Sequence, residues 1–296
     1  MARPTVDVGR VGVWYGGIDA LPMPQAQRAA QVVESLGYGA LWIAEAVGRD
    51  PFVSGALLLS ATERLVVATG IANVYARDAM TMVAGQKTLA EAFPDRFLLG
   101  MGVSHGHLVA GIRKIDWSKP YSYIDSYLDK MDKSMFMAVA PKSDPGRVLA
   151  ALGPKMLQLS ATKANGSHPY FTTPEHTVAA RNEMGDDALL APEQMVVLAT
   201  DPSEARAIAR KGMKIYLGLP NYANNLKRFG FADDDFADGG SDRLVDAVTV
   251  WGTADQIAAR VKAHHDAGAD HVCIQVLRSD TAMPEREWTE LAGVLL

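Results

Sequence analysis

The chain has few of the features that mark out specialised proteins. Its 296 residues include one cysteine, Cys273. An internal disulfide is therefore excluded, which suits a reducing compartment. Cys273 lies in the apolar run Val272–Val276 and reads as a buried, inert thiol. There is no excess of positive charge. At a net charge of -5, nothing draws the chain to nucleic acid or to an anionic membrane. No apolar run is long enough to span a bilayer, and Met1-Ala2-Arg3-Pro4 lacks the apolar stretch of a signal peptide. The expectation is a soluble cytoplasmic protein. Nucleotide and nucleophile motifs are missing too. Gly100-x-Gly102 is not followed by the third glycine of a dinucleotide fingerprint, and no P-loop or GxSxG elbow occurs. His105, His107, His168 and Glu45 could supply metal ligands in principle, but their spacing matches no HExxH or Cys/His cluster, so no metal is expected. No Pro/Gly/Ser-rich linker divides the chain.

A repeated unit is present instead: a short, continuously apolar run, a loop with unusual residues, then a helical pattern. The strand-like runs are Val11–Trp14, Ala40–Ile43, Leu65–Thr69, Phe97–Met101, Val148–Leu152, Gly166–Phe171, Gln194–Ala199 and His271–Val276. Continuous apolarity is the mark of a parallel sheet covered on both faces. Helical patterns lie between the runs, with Tyr121–Val139 the longest and Thr253–Ala267 the best capped. Residues 219–242 read as an irregular insertion. Eight such units in one domain of residues 1–296 predict a (β/α)8 TIM barrel, with a doubly wound open sheet as the alternative.

In a barrel, chemistry sits where strands end. Glu45 follows strand two by two residues. It is either an acid–base group or a salt bridge across the barrel mouth. His105 and His107 follow the Gly100 and Gly102 pair, and histidine near neutrality suits a proton relay. His105 is preferred because it lies closer to the Gly102 bend. Strand six offers His168 and Tyr170, and strand eight Gln275 and Arg278. The start of the helix at Ala151-Leu152-Gly153-Pro154-Lys155 could cradle a phosphate with free N–H groups, with Lys155 as countercharge. Ordinary helix capping is the alternative. Met131 and Met135 lie on one side of a helical pattern, as core or interface.

Several blocks resemble the bacterial-luciferase-like flavin and deazaflavin superfamily, above all its coenzyme F420-dependent branch. They are LGYGALWIAEA at Leu36–Ala46, ERLVVATGIANVYARDA at Glu63–Ala79, DRFLLGMGVSHG at Asp95–Gly106, AALGPKMLQLSATKANGSHPYF at Ala150–Phe171 and the closing block Trp251–Val276. The resemblance implies a barrel with the cofactor ring over the carboxyl ends of the strands. It implies a non-prolyl cis peptide at Gly70–Ile71, with Gly70, Ile71, Ala72 and Val103 against the ring. It places the cofactor phosphate at Ala150, Ala151, Leu152, Gly153 and Pro154, beside Lys155. Related sugar-phosphate dehydrogenases carry an Asp-His pair where this chain has Glu45 and Ala46, and a glutamate where it has His105. Their acid–base arrangement is thus not available here. His105 and Glu45 are the residues left to move a proton.

The leading expectation is an F420-dependent oxidoreductase that transfers a hydride to or from a small organic substrate. Lys155, Arg77 and Arg113 are the candidate partners for the cofactor's anionic tail. An FMN-dependent monooxygenase of the same superfamily is the second reading. A catalytically inactive cofactor-binding or interaction protein is the third, and a metal-dependent barrel hydrolase the fourth. A homodimer would place Tyr121, Tyr123, Met131 and Met135 at its interface.

Overall fold

The computed structural model describes residues 3–296, so the first two residues of the Met1–Pro4 opening lie outside it. Each apolar run forms a strand. In chain order these are β1 Val11–Trp14, β2 Ala40–Ile43, β3 Val66–Thr69, β4 Ala72–Asn73, β5 Phe97–Gly102, β6 Arg147–Leu149, β7 Gly166–Ser167, β8 Leu189–Leu190, β9 Glu193–Val197, β10 Thr249–Trp251 and β11 Val272–Val276. The helices are α1 Met23–Ser35, α2 Pro51–Leu59, α3 Ala79–Ala92, α4 Pro120–Asp132, α5 Pro154–Thr162, α6 Pro174–Met184, α7 Pro202–Leu217, α8 Pro220–Lys227, α9 Asp242–Val248, α10 Ala254–Asp266 and α11 Glu285–Leu295.

All the strand pairings are parallel. The path runs β11-β1-β2-β3-β5-β6-β7-β8. Two residues after β8 the same chain re-enters as β9, which pairs with β11. The ring therefore closes, and the fold is the expected barrel rather than an open sheet. Pro192 splits β8 from β9 because it has no N–H to give the ladder, while its carbonyl still accepts from the Cys273 N–H. The short strands β4, β8 and β10 were not legible in the sequence.

Caps explain where several helices begin. Asp50, Asp78, Thr173, Asp201 and Ser241 each accept from a backbone N–H in the first turn. Thr253 and Gln256 form a reciprocal capping box at α10. Inside the ring, Trp14, Trp42, Leu98, Val148 and Cys273 pack together. Trp42 Nε1 donates to His271 Nε2 across 3.0 Å. A Cβ at Gly100 would lie 1.9 Å from the Thr69 carbonyl, so this glycine serves the close β3–β5 approach within the wall.

Two expectations are corrected. Residues 219–242 are not irregular: they hold α8 and a 3-10 segment, Asp233–Gly239. Pro220 suits the first position of α8, and Tyr222, Asn225 and Leu226 are buried, so packing outweighs the weak propensity of an Asn-rich stretch. The helix expected over Tyr121–Val139 ends at Asp132. Met131 is core, whereas Met135 and Met137 are 72% and 91% exposed. Among the described residues no helix is long and apolar enough to cross a membrane.

Candidate active site

The carboxyl ends of the strands frame a cleft of about 270 Å³. Ile71, Val103, Ala150, Ala151, Leu152 and Met156 form apolar walls, with Trp117, Tyr121, Tyr170 and Tyr222 around them. Its polar groups are Ser104, His105, His168 and Asn221. No carboxylate, lysine or arginine lines it. A larger cleft of about 840 Å³ lies at the opposite end of the barrel, among the last turns of α5 and α6. It contains none of the strand-end candidates.

β3 ends in the Gly70–Ile71 cis peptide, as the resemblance implied. Trp14 Nε1 donates to the Gly70 carbonyl at 3.1 Å. A Cβ at Gly70 would sit 2.7 Å from that nitrogen and 2.9 Å from His168 Nε2. Gly102 is equally confined, since a Cβ there would meet Ala150 at 2.9 Å and Ile71 at 3.3 Å. These two glycines let the walls meet without filling the cleft. Ala72 is buried in β4 and does not line it.

His105 lines the cleft beside Tyr222, with ring centroids 5.4 Å apart. Burial lowers its pKa, and a hydrogen bond to the Asn221 side chain partly opposes that shift. Its Nδ1 is buried with no protein partner. The imidazole is therefore neutral at pH 7 and free to take a proton. His107 is exposed in the following π-helical turn, His107–Ile112.

Glu45 does not enter the cleft. Arg77 grips both of its carboxylate oxygens at 2.6 and 2.8 Å, and the Asn73 N–H donates to it at 2.7 Å. Both ion-pair partners are under one-tenth exposed. The salt-bridge reading wins, and the expectation of Glu45 as a proton carrier is corrected. Arg77 is committed to this pair and to Asp50, so it is not placed to meet a cofactor tail. Arg113 reaches the Ala46 carbonyl instead.

α5 begins at Pro154, with Gly153 as its cap and no side-chain cap bond. The N–H groups of Met156 and Leu157 are already bonded to the Gly153 carbonyl. Ala150 to Gly153 line the cleft, whereas Lys155 is exposed and does not. Arg228, the C-cap of α8, lies beside this start. Its Nη1 donates to the Leu152 carbonyl at 3.4 Å and lies 3.9 Å from the ideal Cβ position of Gly153. His176 shares that carbonyl at 2.9 Å. Sequence reasoning missed Arg228, Asn221 and Tyr222 because they fall in the stretch read as irregular.

Residues 14–271 match the family model described as luciferase-like monooxygenase. The chain belongs to this family. Among its relatives, a Mycobacterium tuberculosis protein named as a coenzyme F420-dependent oxidoreductase is 24% identical over 81% of this chain and 80% of its own. The 5,10-methylenetetrahydromethanopterin reductase of Methanolobus tindarius is also 24% identical, over 85% and 90%. Solved structures share the barrel of this luciferase-like family member. An F420-dependent secondary alcohol dehydrogenase, in complex with an F420–acetone adduct, superposes with a TM-score of 0.79 at 12% identity, over 96% of this chain and 97% of that one. An FMN complex of a type II Baeyer–Villiger monooxygenase from Pseudomonas putida gives 0.70 at 15%, over 97% and 98%. Identities this low carry the fold alone. The residues of this family member fit a flat ring with a phosphate. Gly70 and Gly102 let the apolar walls pack closely, and the start of α5, which has no side-chain cap, lies beside Arg228. Among the described residues no three potential ligands group around a metal position.

Proposed function

We propose that this chain is a coenzyme F420-dependent oxidoreductase, moving a hydride between the deazaflavin and a small organic substrate. One observation carries the reading. A neutral, half-buried histidine lines the same cleft as an uncapped helix start, with a guanidinium beside it. The name of the Mycobacterium tuberculosis relative supports F420 over FMN. When bound, the cofactor would supply the two-electron chemistry.

The protein's own part is to bind, orient and move a proton. Ile71 and Val103 offer apolar contact to a ring, and Gly70 and Gly102 leave it room. The Gly153 and Lys155 N–H groups, with Arg228, hold a phosphate. His105 Nδ1 accepts the proton of a substrate hydroxyl on oxidation and returns it on reduction. Asn221 fixes the imidazole. Glu45 is a positioning residue: through Asn73 and Arg77 it holds the chain that follows the Gly70–Ile71 bond.

The absence of charged side chains in the cleft favours a neutral, largely apolar substrate over a sugar phosphate. The start of α5 would serve the phosphate of FMN equally well, so an FMN-dependent monooxygenase is the second reading. Paired fluorescence titrations with F420 and FMN decide between them. Tighter F420 binding with no flavin-dependent oxygen uptake is expected. Tighter FMN binding with oxygen uptake overturns the F420 assignment, and binding of neither overturns both.

A further inference from the structure

His168 has no role in the proton transfer described above, yet it faces the same cleft. It follows β7 directly and is 1% exposed. Its ring stacks on Trp42 with centroids 4.2 Å apart and planes 14° from parallel, which fixes the plane of the imidazole. Its Nδ1 lies 2.8 Å from the Ala191 carbonyl. A carbonyl can only accept, so Nδ1 carries the hydrogen. Burial holds the pKa down to about 4, so the ring carries no second proton near neutrality. The other nitrogen, Nε2, is then an obligate acceptor, and it is buried with no protein donor. Gly70 packs directly against it, since a Cβ there would lie only 2.9 Å away, and His168 is among the residues that line the cleft. Trp14 Nε1, the nearby indole donor, is spent on the Gly70 carbonyl.

We infer that His168 Nε2 is a ligand-binding acceptor on the floor of the cleft, taking a hydrogen bond from the imide N–H of the bound cofactor's pyrimidinedione edge. The acceptor lies against the glycine of the cis peptide. A planar heterocycle entering edge-first beside Gly70 would present such a donor, and flavin and deazaflavin rings share it. Trp42 and Ala191 then act as positioning residues, one setting the plane of the imidazole and the other its tautomer. The inference rests on the reading of the cleft as a cofactor site, and it adds a side-chain determinant on the ring edge rather than on the phosphate.

The test uses the intact protein and two ligands, FMN and FMN methylated at the imide nitrogen, with F420 in parallel. The parent ligands are expected to bind about ten- to a hundredfold more tightly than the methylated one, as for a buried acceptor left unpaired. His168→Phe, which keeps a flat ring over Trp42, is expected to erase that preference. The second readout is the 15N resonance of His168 Nε2. It should move from a non-bonded to a hydrogen-bonded position with FMN and F420, and stay put with the methylated ligand. If FMN or F420 binds but methylation changes neither affinity nor resonance, the inference fails while the cofactor reading stands. The same holds if the resonance moves only on adding a hydroxyl-bearing substrate. If neither cofactor binds, the cofactor reading fails and takes this inference with it.

Discussion

Burial alone would leave His105 neutral, but it is the combination with Asn221 that makes it useful. The amide fixes one side of the ring while Nδ1 stays without a protein partner. His105→Asn should lower the rate of the chemical step by about 10²–10⁴-fold and leave cofactor affinity nearly unchanged. The sign of the pH effect follows from the charge states. Only neutral His105 can accept a proton, so substrate oxidation should fall as pH drops through its pKa, which lies below the usual 6.5. Stopped-flow traces across pH, for the wild type and the variant, check this. An acid limb that persists in His105→Asn would assign it to another group. At this scale the sequence was only partly legible. His105 was picked out because glycines precede it in the chain. Glu45 was also picked out, but its partner Arg77 is 32 residues away, and nothing in one sequence pairs them. His168 was visible as a strand-end residue. Its chemistry rests on Ala191, and Ala191 becomes its neighbour only when β7 and β8 pair.

Helix α8 brings the most to the site that a reading by pattern overlooked. Its eight residues carry Asn221 and Tyr222 to the cleft, and Arg228 follows at its C-cap. Three asparagines and an acidic run nearby suggested loop, yet Pro220 at the first helical position is an ordinary start signal. The spacing of Tyr222, Asn225 and Leu226 places three side chains on one buried face. Lys155 was favoured as the phosphate partner because it is adjacent in sequence to the start of α5. The fold shows how poor a guide adjacency is there, since Lys155 points to solvent and Arg228 arrives from a different helix. Arg228→Ala should weaken F420 binding about tenfold, the worth of one charged hydrogen bond at an exposed position. Lys155→Ala should change it by less than about twofold. Isothermal titration at two salt concentrations separates the two, because the Arg228 contribution should shrink as salt rises. Equal losses in both variants would return the anion site to Lys155.

For the molecule as a whole, the barrel was the most legible feature. Buried parallel strands must be apolar along their length, and loops between them must turn sharply, so composition and period agree. Less visible was how many titratable groups the barrel hides in neutral form. Burial, as the largest cause, holds His168, His176 and His271 down to about 4 and His264 to about 3. It pushes Glu193 up to about 8, while the Phe171 N–H bond pulls the other way. These shifts set a pH window for stability. As pH falls below 6.5, the unfolded chain takes up protons that the folded histidines refuse until about 4. Stability is therefore lost over that range. As pH rises above 4.5, unfolded Glu193 ionises while the folded carboxyl stays protonated until about 8, so stability falls with rising pH across that interval. Four histidines outweigh one glutamate below 6.5, and between 6.5 and 8 Glu193 is the main opposing group. Each histidine contributes on the order of a few kcal/mol, and together they rival the ~5–15 kcal/mol stability of a typical domain. Urea unfolding from pH 4 to 9 should thus show a maximum near pH 6.5, a steep acid side and a shallow alkaline side. Glu193→Gln keeps a neutral side chain of the same shape, so it should flatten the alkaline side and make the acid side steeper between pH 4.5 and 6.5. An unchanged alkaline slope in that variant would mean that Glu193 is already ionised within the folded barrel.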